Sequence, residues 1–128
     1  MQRLEPRTAA LLSAFGWAVG YLLAGKALAA LLPAPSGAAR FFRVCLLAPL
    51  AEEGVFRGAV QRRAQPLGRA QAILLQAVLF ALQHGSAAAM AYALLCGLGL
   101  GWLADRTGHL WPGMLLHSVN NLLVLMTG

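Results

Sequence analysis

Glu52 and Glu53 stand side by side in an otherwise apolar stretch, with Arg57 one helical turn past the second carboxylate. His117 and Asn121 repeat that four-residue spacing in a segment otherwise made of Met, Leu and Val, while Gln76, Phe80 and His84 share one helix face elsewhere. Carboxylates, imidazoles and amides are the groups that take a proton from water and donate to an oxygen where negative charge develops. Spacing divides their roles. Glu53 and Arg57, at i and i+4, can form an ion pair. Glu52 is rotated about 100° around the same helix and faces elsewhere, which leaves it for general acid/base work with Glu53 and Arg57 as its support. His117 and Asn121 project from one face and could both donate to a single oxygen, with Asn120 a substitute at i+3. Each group also admits a structural reading: an ion pair tying two helices, a His capping a helix end, or a His/Asn pair bonding between helices. Such interhelical bonds are worth only about 0.6 kcal/mol each in membranes. Asp105-Arg106 with His109 reads as a solvated turn.

The position of these groups is costly. The run from Phe41 to Ala51 reads as a membrane helix, and charges at bilayer depth mark functional sites by default. Glu52, Glu53 and Arg57 together cost about 8–10 kcal/mol, against about 3–5 kcal/mol returned by the Phe, Val and Leu residues of that segment. The helix therefore cannot face lipid on all sides, and something inside the protein must meet its charges.

Composition supports a bilayer setting. The chain has 128 residues, 59% hydrophobic and 11% charged, with mean hydropathy +0.67. A soluble domain would carry about a quarter charged residues. Net charge is +6, but most Arg residues fall between apolar runs, a pattern that fits the positive-inside rule and argues against a nucleic-acid partner. Cys45 and Cys96 both lie in apolar runs and read as buried small residues, not a disulfide or metal site. The basic start, Met1 to Arg7, precedes an apolar run too long for a cleaved signal, so it reads as a retained first span.

Residues 1–128 form a single integral membrane domain of about five helices, an all-α polytopic bundle. They are expected over Ala9–Leu32, Arg40–Gln61, Ala70–His84, Ser86–Leu103 and Trp111–Met126, broken by Pro33-Ala34-Pro35, the basic loop through Arg69, and Ala104 to Gly108. Arg3, Arg7, Arg62, Arg63, Arg69 and Arg106 share one side, which places the N-terminus in the cytoplasm. Glycine pairs at four-residue spacing (Gly16 with Gly20, Gly54 with Gly58, Gly97 with Gly101) predict close helix contacts. Counted from the loops, Glu52, His117 and Asn121 fall at a common depth of about 10–16 Å, whereas His84 would sit near 22 Å unless its helix tilts or breaks.

In chain order, Glu52-Glu53-x-x-x-Arg57, Phe80-x-x-x-His84 and His117-x-x-x-Asn121 resemble the three-motif signature of the CAAX prenyl protease and bacteriocin-processing (CPBP, or Abi) family of glutamic-type intramembrane proteases. The resemblance runs from about Leu46 to Leu125. It implies a short core version of that family's membrane fold, with the motifs in about residues 41–127, a water-accessible cavity, and peptide hydrolysis that uses no metal or cofactor. Glu52 would activate water with His84 assisting, His117 and Asn121 would form the oxyanion hole, and Glu53 and Arg57 would hold the site. The implied substrate is a membrane protein or lipidated peptide in a bacterial or archaeal cytoplasmic membrane. Only one helix precedes the first motif, where the family has more, so a partner subunit could supply missing helices. Two other readings stay open: a zinc hydrolase using His84, His117 and Glu52, and a non-catalytic binding or bacteriocin-immunity protein.

Overall fold

The computed structural model of the protein describes residues 3–128. Met1 and Gln2, the first two positions of the basic start, lie outside the described residues. Five helices follow one another: α1 over Pro6–Leu31, α2 over residues 37–63, α3 over Arg69–Ala81, α4 over Ala87–Thr107 and α5 over Trp111–Thr127. Among the described residues there is no strand.

Local chemistry sets the ends. Glu5 caps α1 by accepting from the Thr8 N–H at 3.4 Å, and Pro6 occupies the first turn, where its missing N–H costs nothing. Pro33 and Pro35 keep the chain extended after Leu31. Ser86 Oγ accepts from the Ala89 N–H at 3.2 Å to start α4, and Gly108, at φ +70°, ends it in the left-handed conformation that glycine tolerates. Pro112 opens α5.

Two boundaries differ from the sequence expectation. α4 runs on to Thr107, so Asp105 lies on a helix and not in a solvated turn. Its carboxylate meets Arg69 at 2.6 Å, tying α4 to the start of α3. Arg69 is largely exposed, and such pairs are worth about 0–1 kcal/mol. α3 stops at Ala81 instead of His84; the His84 N–H turns back to the Ala81 carbonyl at 3.0 Å.

α2 is a continuous helix of uneven winding. Arg43–Leu47 and Glu53–Gln61 are π-helical, with the α-helical turn Ala48–Glu52 between them. Pro49 has no N–H for the Cys45 carbonyl, and nearby the Ala48 N–H bonds to Arg43, five residues back. Wide turns of this kind concentrate at functional sites. Glu52 and Glu53 lie on the two sides of the junction where the second one begins.

Small residues bring the helices together. Ala10, Ala14 and Ala18 form the buried face of α1, and the core continues through Phe56, Val60, Ala72, Leu79, Phe80 and Ala93. Gly97 lets α4 close on α3, since a Cβ there would stand 3.0 Å from the Ala77 Cα. Gly101 faces the Gln61 and Gln76 side chains, and Gly58 lies against Leu110. The expected contact at Gly16 and Gly20 is not made: a Cβ at either, as at Gly54, would meet nothing within 4 Å.

The outer surface is apolar. Leu12, Phe15, Leu23, Leu47, Leu95, Trp102, Leu116 and Leu123 are exposed, while Glu53, Arg57, Gln61, Gln76 and His117 are buried. This distribution suits lipid outside and polar groups within. α1 and α4 are each long and apolar enough to cross a bilayer, and α3 is a shorter apolar helix of 13 residues. The molecule is an all-helical membrane bundle.

Candidate active site

His117 joins the two carboxylates. Reaching in from α5, it places Nδ1 2.8 Å from Glu53 Oε1 and Nε2 3.3 Å from Glu52 Oε2. A carboxylate ion can only accept, so Nδ1 donates in the first contact, while the second is a close approach without hydrogen-bond alignment. Glu53 is fully buried, with Arg57 Nη1 3.0 Å from the same Oε1. That contact is an ion pair without hydrogen-bond alignment, and the guanidinium also stacks 4.6 Å over the Phe80 ring. The i, i+4 pair expected from spacing is therefore present. Its added function is to hold Nδ1 of His117, a contact that the sequence did not suggest. Glu53 Oε2 faces Gly113, where a Cβ would come within 2.8 Å, so α5 needs a glycine at this point.

Glu52 does face a different direction. Its side chain keeps 22% of its surface accessible while Glu53 keeps none. Oε2 meets His117, and Oε1 accepts from the Tyr21 hydroxyl at 3.4 Å. Sequence reasoning missed Tyr21. A single tyrosine in an apolar helix looks like an anchor at the membrane surface, and only the packing of α1 against α2 reveals its partner.

Because α3 breaks at Ala81, His84 reaches the level of the other groups. Its Nδ1 lies 3.1 Å from the Phe80 carbonyl, and its ring is edge-on to Phe80 at 5.1 Å. The His117 ring meets the same Phe80 at 5.8 Å. His84, His117, Asn120 and Asn121 all line one cavity of about 590 Å³ between α3, α4 and α5, whose remaining wall is mostly apolar. Glu52 is not in that wall; His117 connects it to the cavity.

Asn121 and His117 bond to different partners in the folded chain. One of its amide N–H groups goes to the Val44 carbonyl at 2.9 Å, the interhelical bond that the sequence also allowed, and the second N–H remains for the cavity. Asn120 accepts from the Tyr92 hydroxyl, and both residues line the cavity. Gln61 and Gln76, both buried, donate to the Gly101 and Gly97 carbonyls of α4 at 2.9 and 2.7 Å. They secure α2 and α3 to the glycine face of α4.

Among the described residues no three His, Cys, Asp or Glu side chains are spaced to hold one metal ion, so the zinc grouping of His84, His117 and Glu52 is not assembled. Cys45 and Cys96 are free thiols.

A membrane bundle whose core brings two glutamates, an arginine and a histidine together beside an apolar cavity has the make-up of an intramembrane hydrolase. The family model described as Type II CAAX prenyl endopeptidase Rce1-like matches residues 33–123, most of the chain, and the protein belongs to that family of membrane-embedded peptide hydrolases. No curated protein and no solved structure matches it. The likeness read from the three motifs therefore holds, and α1 lies wholly before the matched stretch.

Proposed function

We propose that the protein hydrolyses a peptide bond in a membrane-associated substrate, prenylated or C-terminally anchored, by attack of a water that Glu52 activates. The observation that carries this reading is the His117 ring, held by both carboxylates at the wall of the cavity that it shares with His84 and Asn121.

Glu52 takes one proton of the water as its oxygen attacks the scissile carbonyl carbon, and the carbonyl oxygen becomes an oxyanion. Protonated Glu52 no longer attracts the Nε2 N–H, so His117 is free to donate to that oxyanion beside the second N–H of Asn121. The C–N bond then breaks and Glu52 returns its proton to the leaving amine. His84, which lines the same cavity and packs on the Phe80 ring that also meets His117, assists by orienting the water. Glu53 and Arg57 fix the Nδ1 side of the ring, so only its Nε2 side is free to act. The apolar cavity accommodates the lipid-like part of the substrate and excludes bulk water. Arg62, Arg63 and Arg69, together at the α2–α3 turn, face the cytoplasm, as does the N-terminus.

The test uses purified protein in liposomes with a panel of prenylated and unprenylated C-terminal peptides, read by mass spectrometry. Wild type cleaves at one bond, without added metal and in the presence of a chelator, and Glu52→Ala does not. Equal turnover by the two proteins would remove the assignment.

A further inference from the structure

We infer that Tyr21, on the helix before the family-matched stretch, is a positioning residue for the reaction, acting through Glu52. The inference rests on the proposed role of Glu52 as the base. Each oxygen of that carboxylate has its own partner on a different helix: Oε1 the Tyr21 hydroxyl of α1, Oε2 the His117 Nε2 of α5. Contacts on opposite oxygens limit the rotation of the carboxylate group, and that rotation decides which lone pair meets the incoming water. At 3.4 Å the Tyr21 contact is long; hydrogen bonds to catalytic groups commonly shorten when substrate closes the site.

The Tyr21 ring is itself fixed. It packs edge-on against Phe56 at 5.7 Å, Phe56 against Phe80 at 5.3 Å, and Phe80 against both His117 and His84. One aromatic row thus runs from α1 through α2 and α3 to the two imidazoles, and it sets the height of the Tyr21 hydroxyl relative to His117. The ring also lines an outward groove with Ser13, Gly16, Trp17 and Gly20, which Val55 of α2 helps to form. A ring placed only for packing would need no hydroxyl here. The one polar atom that Tyr21 carries into the bundle ends on the carboxylate assigned to water activation.

The experiment compares wild type, Tyr21→Phe, Glu52→Ala, Glu52→Asp and the double variant Tyr21→Phe/Glu52→Asp in liposomes on a cleaved peptide. Phenylalanine keeps the ring and its packing, so the melting temperature should stay at the wild-type value. Loss of a hydrogen bond to a charged group predicts a fall in kcat of about tenfold with KM within about twofold. In Glu52→Asp the carboxylate is withdrawn from Tyr21, so adding Tyr21→Phe should cost less than about twofold more. Wild-type kcat in Tyr21→Phe, or losses that multiply in the double variant, would overturn the inference while an inactive Glu52→Ala leaves the proposed function standing. An active Glu52→Ala would overturn both.

Discussion

His117 has partners that its spacing did not suggest. As a residue four before Asn121, it reads as half of a donor pair aimed at one oxygen; in the folded chain both of its nitrogens are already occupied by carboxylates from α2. The Glu53–Arg57 pair was legible because i, i+4 is a local relation. The contacts of Glu53 with His117 and of Glu52 with Tyr21 span 64 and 31 residues and depend on how helices pack, which no local pattern encodes. The same holds for Asn121, whose bond to Val44 crosses 77 residues. Gly113 supplies a test at this scale. A methyl at that position would press on Glu53 Oε2 at 2.8 Å, and the buried carboxylate could move only by leaving His117 or Arg57. Gly113→Ala should destabilise the fold by about 1–3 kcal/mol, the usual cost of overpacking, and lower turnover as well. Unfolding in detergent checks the first effect; unchanged stability and rate would mean that Glu53 is not held as described.

The helices themselves were largely readable, because their ends are marked by strong local signals: Pro33 and Pro35, Ser86, Gly108 and Pro112. Errors arose where packing overrode the signal. Asp105 looked like part of a turn, yet α4 continues past it, and Gly108 is the first residue that ends the helix. The π-helical turns around Pro49 leave no composition mark, since wide and regular turns use the same residues. Glycine spacing alone also could not tell a packed pair from an open one. Gly97 abuts Ala77, whereas Gly16 and Gly20 look outward from the bundle. Gly97→Ala should therefore lower the melting temperature, by an amount matching about 1–3 kcal/mol of overpacking. Gly20→Ala should leave it unchanged or raise it, since alanine is the better helix former by about 0.8–1.0 kcal/mol. Equal destabilisation by both changes would contradict the α3–α4 packing.

For the whole molecule, the contrast between an alanine-rich core and a surface of Leu, Phe and Trp agrees with the low charge and high hydropathy of the chain. This is why the membrane setting was visible before any fold. The buried charges were visible as well, as an energetic conflict needing an internal answer, and the bundle supplies one in the Glu53–Arg57–His117 cluster. What composition could not supply was the position of the cavity, which depends on the break of α3 at Ala81 and on the spread of α4 from α5. Orientation is testable at this scale. With Cys45 and Cys96 replaced by alanine, a cysteine at Gln65 should react with an impermeant maleimide only from the cytoplasmic side, and one at Ser36 only from the opposite side. Labelling of both from one side would reverse or collapse the proposed topology.

The central claim is that a glutamate held between a tyrosine and a histidine drives hydrolysis inside this bundle. Single-turnover cleavage of the best peptide by Glu52→Gln, in protein whose melting temperature matches wild type, tests it most directly. The glutamine keeps the shape but cannot take the proton of water, so the rate should fall by about 10²–10⁴-fold, the range of general base catalysis. A Glu52→Gln rate within about tenfold of wild type would contradict the account.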